Sequence, residues 1–109
     1  MFYQKICKIR DALLTVTDNV GHYEALNVKE QYIVWAEDTE GESVHADNGK
    51  KAQVIQGTID YFTRKDGDGK VDEIQKALDA AEGVAYQLNS VQYEEETGFI
   101  HYEWLWEVS

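Results

Sequence analysis

The most regular alternation of apolar and polar positions lies at the end of the chain, from Val91 to Val108. Ile100, Tyr102, Trp104, Trp106 and Val108 fall on one side, and Phe99, His101, Glu103, Leu105 and Glu107 on the other. Successive side chains of an extended strand point to opposite sheet faces, so this period of two predicts a strand with one wholly apolar or aromatic face. Val91 and Tyr93 begin a similar alternation upstream, and Glu95, Glu96, Thr97 and Gly98 separate the two runs. Charge followed by a glycine suited to positive φ predicts a β-hairpin, its first strand starting near Val84. Burying the two tryptophans and their neighbours is expected to contribute several kcal/mol, at about 25 cal/mol per Å².

The rest of the chain divides by the same criterion. Phe2, Ile6, Ile9, Leu13 and Val16 recur at spacings of three and four, predicting an amphipathic helix over Phe2 to Val16 that ends at the β-branched and short polar residues Thr15, Thr17, Asp18 and Asn19. Val20 to Leu26 predicts a short, weak strand. Gln31 to Asp38 predicts a stronger one, with Tyr32, Val34 and Ala36 on one face, Ile33 and Trp35 on the other, and both faces covered. Thr39 to Gly49 is polar, with two glycines, and predicts a loop or poorly regular edge. Lys51 to Thr63 predicts a long strand in which Ile55, Gly57, Ile59 and Tyr61 share a face. A glycine in mid-strand marks a bulge, a bend or a close backbone approach. After a charged turn at Arg64 to Gly69, the stripe Val71, Ile74, Leu78 and Ala81 predicts a helix over Lys70 to Glu82, with Asp68 or Asp72 as N-cap and Gly83 as the stop. The expected fold class is therefore α+β, in the order α-β-β-β-α-β-β: a mostly antiparallel sheet of about four to five strands, with two helices packed on the aromatic face.

Composition narrows the function classes. With 109 residues and 43% hydrophobic content, a single domain over residues 1–109 is expected. The formal charge is −11, and residues 55–109 hold 12 of the acidic and only 4 of the basic side chains. Such a surface argues against broad contact with nucleic-acid phosphates and favours solubility. Cys7 is the only cysteine, which rules out an internal disulfide and fits a reducing compartment. The charged N-terminal run has neither the apolar core nor the cleavage site of a signal peptide, and no run approaches a membrane span.

Candidate chemistry is sparse. Asp66, Asp68, Gly69 and Val71 fall at the third, fifth, sixth and eighth positions of a calcium-binding EF-hand loop, but Arg64 would be the first ligand and Gln75 the closing one. A cation and an amide at those two places favour a strand-to-helix turn with aspartates capping the helix. His22, His45 and His101 stand among many carboxylates without a metal-ligand spacing, and His101 reads as a surface or interface histidine. Glu94, Glu95 and Glu96 read as a solvated turn, and Cys7 as a small apolar residue. Hence no catalytic, cofactor-binding or metal-binding residues are expected, and no enzyme. The 12% aromatic content divides between two readings, a generous core and an interface with other subunits.

The run Tyr32 to Asp38, the tripeptide Ala46 to Asn48, the run Gln56 to Thr63 and the terminal run Gly98 to Trp104 together resemble small proteins of tailed-phage and prophage structural modules. These are the tail-completion or tail-terminator proteins, often described as minor capsid or tail components. The resemblance implies an α+β virion subunit, assembled in the bacterial host cytoplasm, that forms a homo-oligomeric ring, commonly a hexamer. The ring would cap the tail tube protein, join it to the head-tail connector protein and let DNA pass along an acidic channel without specific binding. A connector or stopper subunit is the alternative within that setting. An acidic protein-binding module mimicking nucleic acid is the alternative outside it.

Overall fold

The computed structural model describes residues 2–41, 45–46, 49–50 and 53–109. The N-terminal stripe forms helix α1 (Phe2–Leu14), ending two residues before the predicted Val16. There the Thr15 side chain turns back to donate to the Ala12 carbonyl at 2.6 Å, the competition with helical hydrogen bonding expected of a short hydroxyl residue. Strand β1 (Val20–His22) is shorter than predicted, because Tyr23 takes a positive φ of 73° and turns the chain away from the sheet. Strand β2 (Tyr32–Glu40) continues past the predicted Asp38, since a bulge between Glu37 and Thr39 lets the ladder resume. Two-residue strands β3 (His45–Ala46) and β4 (Gly49–Lys50) pair as a ribbon within the segment expected to be a loop, whose residues 42–44 and 47–48 lie outside the described part. Strand β5 (Ile55–Thr63), helix α2 (Lys70–Ala80), strand β6 (Val84–Glu94) and strand β7 (Phe99–Val108) complete the chain.

Five strands, the four long ones and the short β1, form one sheet in the order β1-β2-β5-β7-β6. β1 runs parallel to β2 and every other pairing is antiparallel. Leaving aside the small β3-β4 ribbon, the order is the α-β-β-β-α-β-β predicted from the periodicities. The register sets Ile55, Gly57, Ile59 and Tyr61 opposite Val108, Trp106, Trp104 and Tyr102, so the two period-two stripes share one face. Both helices cover that face: Ile6, Ile9 and Leu13 of α1 and Ile74 and Leu78 of α2 join Trp35, Trp104, Trp106 and Val108 in one buried cluster. Each fully buried tryptophan contributes about 5 kcal/mol of apolar burial before conformational entropy is set against it. Neither indole N–H is wasted, since Trp104 donates to Gln75 Oε1 at 3.1 Å and Trp106 to the Thr58 carbonyl at 2.9 Å.

Gly57 is the close-approach glycine. A Cβ there would stand 2.1 Å from the Ala36 carbonyl oxygen and 2.4 Å from the Trp106 ring, so the indole lies directly against the β5 backbone opposite the bulge. Gly98 serves the hairpin turn as expected, at φ 78°, and its N–H donates to the Glu94 carbonyl at 2.8 Å.

The predicted cover on both faces of β2 does not occur. Tyr32, Val34 and Ala36 lie on the face opposite the helices and are only half-buried, among the neighbouring side chains of the same sheet. At the start of α2 the N-cap is Gly69 with no side-chain cap, in place of Asp68 or Asp72. Asp68 sits one position earlier and its Oδ1 accepts the Lys70 N–H at 3.0 Å, a capping bond from just outside the helix.

Candidate interaction surface

Among the described residues, two features of the sheet are left unpartnered by this packing: the outer edge of β6 and the face away from the helices. β6 is the terminal strand, eleven residues long, with β7 on one side and no strand on the other among the described residues. Leu88, Val91 and Tyr93 pair with Trp104, Tyr102 and Ile100 and so point to the helix side of the sheet. α2 reaches only the near end of β6, where Tyr86 donates to Asp79 Oδ1 at 2.7 Å. Beyond that point Leu88, Val91 and Tyr93 are 42%, 50% and 65% exposed. A long apolar edge is the feature natural sheets usually shorten, charge or cover, because its free N–H and C=O groups template a further strand.

The open face carries a different pattern. At one end Tyr32 and Phe62 stack at 4.5 Å, Phe99 meets both edge-on, and the Arg64 guanidinium lies 3.9 Å over the Phe99 ring. Next comes a polar row across the strands. His101 stacks on Phe62 at 4.2 Å, its Nε2 is 2.6 Å from Asp60 Oδ1, and its Nδ1 is 3.8 Å from Glu94 Oε2. Glu103 follows on the same face, its Oε1 accepting from Asn89 at 2.8 Å. Burial, abetted by Glu103, holds the Asp60 carboxyl above the usual aspartate range despite the hydrogen bond and charge of His101. Asp68 behaves oppositely: burial opposes its charge, but hydrogen bonds from Tyr61, the Lys70 N–H and Thr63 outweigh that and hold its pKa below the ordinary value. In a carboxyl ¹³C NMR titration Asp60 is therefore expected to protonate first as pH falls and Asp68 later. The reverse order would contradict this account of the two sites.

The His22 and His101 side chains do not converge. His22 lies in β1, sandwiched between the Tyr23 and Trp35 rings at 3.9 Å each, with Nε2 2.7 Å from Glu37 Oε1. Burial opposes the Glu37 charge, yet hydrogen bonds from the Tyr23 hydroxyl and His22 keep its pKa low. His45 is in the β3 ribbon, and His101 is on the open face. No group of His, Cys, Asp and Glu that could hold a metal occurs among the described residues. In the EF-hand-like stretch, Arg64 is engaged with Phe99 and with the Thr97 carbonyl at 3.0 Å, and Gln75 with Trp104. Asp68 accepts from Tyr61, Thr63 and Lys70, so the motif serves as a strand-to-helix turn. Cys7 is buried in α1. Glu94 departs from the solvated-turn reading: the β6 ladder extends to it, opposite Phe99, which aims its carboxylate at His101, and only Glu95 and Glu96 remain in the turn.

No helix among the described residues is long and apolar enough to cross a membrane. No protein-family model matches the chain, and no curated protein matches it.

Proposed function

We propose that this chain is a structural assembly subunit that joins copies of itself through the free edge of β6. The observation that carries the reading is an eleven-residue edge strand with Leu88, Val91 and Tyr93 exposed along one side. At about 3.3 Å per residue the strand offers roughly 36 Å of edge backbone, divided by a bulge between Leu88 and Ser90, and a strand added along the stretch from Ser90 to Glu94 gains hydrogen bonds and apolar burial together. The particular assembly is the ring of a tail terminator or tail-completion protein, at the head-proximal end of a non-contractile phage or prophage tail. The resemblance of Tyr32 to Asp38, Gln56 to Thr63 and Gly98 to Trp104 supports that setting. So does the charge of −11, which suits a wall past which DNA slides without being gripped. The tail tube protein and the head-tail connector protein are then its neighbours in the virion, and the role is non-catalytic.

Light scattering coupled to size exclusion tests the assembly, with electron microscopy on purified tail tubes testing the setting. The expected result is a ring-sized species that grows with protein concentration or forms on tube ends, and that Val91→Lys with Tyr93→Lys abolishes while leaving the monomer folded. A chain that stays monomeric at every concentration and does not decorate tube ends would refute the reading. Rings that bind a connector but not a tube would replace the terminator role with that of a connector or stopper subunit.

A further inference from the structure

A separate concave feature lies on the open face, away from the exposed Leu88, Val91 and Tyr93 of β6. Gln56, Glu107 and Ala85 stand in one row across β5, β7 and β6, and Leu105 and Gln87 are paired in the next. Ala85 is too small to fill its place in that row, and the chain leaves a trough of about 380 Å³ there. It is lined by the apolar Ala85 and Leu105 and by Gly57, together with the polar Gln56, Gln87, Glu107 and Asp38. Asp38 is at the β2 bulge, the one residue there without a partner in the β5 register.

The chemistry of this lining is asymmetric. Leu105 is 41% exposed, an apolar surface left open among the described residues. Gln56 Nε2 donates to Glu107 Oε1 at 2.7 Å, and among the described residues neither the other Glu107 oxygen nor the Asp38 carboxylate has a hydrogen bond or ion pair. Arg64, a cation over this face, is engaged at its far end on Phe99. A trough lined by two apolar side chains, two carboxylates and two amide side chains complements a side chain with an aliphatic stem and a planar cationic head. We propose that it receives an arginine side chain from a basic segment of a partner protein, the stem along Leu105 and Ala85 and the guanidinium toward Glu107 and Asp38. The Asp38 carboxylate and the remaining Glu107 oxygen at the trough are what select a cationic occupant over an apolar one.

The test is a ¹H–¹⁵N NMR titration of the full chain with the peptide acetyl-Gly-Arg-Gly-amide, run beside the same peptide with citrulline, which keeps the shape and loses the charge. Saturable shifts are expected at Gln56, Ala85, Gln87, Leu105 and Glu107 with arginine and not with citrulline. Asp38→Asn with Glu107→Gln is expected to weaken binding by about tenfold, at up to about fivefold for each partly exposed pair. Glu95→Gln with Glu96→Gln removes the same charge from the hairpin turn and is expected to leave affinity within about twofold. Equal losses in the two double variants would reduce the effect to general attraction by an acidic protein and overturn the proposal. So would shifts spread over the surface, equal binding of citrulline, or no saturable binding.

Discussion

Gly57→Ala is expected to lower the thermal midpoint by roughly 15 °C, the equivalent of about 3 kcal/mol for a domain of this size. The new methyl would meet the Ala36 carbonyl oxygen at 2.1 Å and Trp106 Cζ2 at 2.4 Å. Neither can withdraw. Ala36 is held in the β2–β5 ladder beside the bulge, and Trp106 is 1% exposed with its N–H fixed on the Thr58 carbonyl. Either the two central strands separate locally or the indole tips out of a close-packed core, and both forfeit burial at the point where the two helices close over the sheet. Gly69→Ala is the matched control: nothing lies within 4 Å of its Cβ position, and its φ of −63° suits any residue. That variant is expected to be neutral or to gain a few tenths of a kcal/mol through loss of unfolded-chain entropy. Circular dichroism melts of the two variants decide the matter. A Gly57→Ala midpoint within a few degrees of the Gly69→Ala value would mean that the Trp106–Gly57 contact is not a constraint on the fold.

The same position shows how far the sequence can be read. A glycine breaking an otherwise apolar stripe signals that something presses on the strand, and the period-two stripe ending at Val108 signals a large side chain on the same face. What no local pattern supplies is the register that sets Trp106 opposite Gly57, because those residues are far apart in the chain and meet only through β5–β7 pairing. The helices, the long strands and the hairpin turn at Gly98 rest on local periodicity and turn chemistry, so they were legible. Sheet order was not: β5 lies between β2 and β7, and the parallel β1 comes from a weak three-residue segment. For the same reason His101 could be assigned to the mixed face of its strand, but its partner Asp60, 41 residues away, could not be named. The arginine-sized trough is still less legible, since Asp38, Gln56, Ala85 and Glu107 come from four strands and gather only through a bulge and three ladders.

Removing the Asp68 carboxylate is expected to cost about 2 to 4 kcal/mol at neutral pH, because three donors lose one acceptor group. Tyr61 is fully buried and its hydroxyl donates to Asp68 Oδ2 at 2.5 Å, Thr63 donates to the same oxygen at 2.7 Å, and the Lys70 N–H donates to Oδ1 at 3.0 Å. In Asp68→Ala the phenol would be left buried without a partner, and the entry into α2 would lose its capping bond. Burial and the adjoining Asp68 charge raise the Tyr61 pKa far above the ordinary phenol value, while the hydrogen bonds hold Asp68 low against its own burial. The signs fix the pH window. Because the folded pKa of Asp68 is depressed, its contribution is present above about pH 4 and is lost as pH falls through the lower folded value. Because that of Tyr61 is raised, its contribution is present below about pH 10 and is lost as pH rises towards the folded value. Urea unfolding of the wild type, Tyr61→Phe, Asp68→Ala and the double variant measures the coupling. It is expected to be about 1 to 2 kcal/mol at pH 7 and to shrink in acid as Asp68 protonates in both folded and unfolded chains. Additive single costs, or a coupling unchanged at pH 2, would show that the turn is held by Thr63 and Lys70 alone and that the buried phenol is satisfied elsewhere.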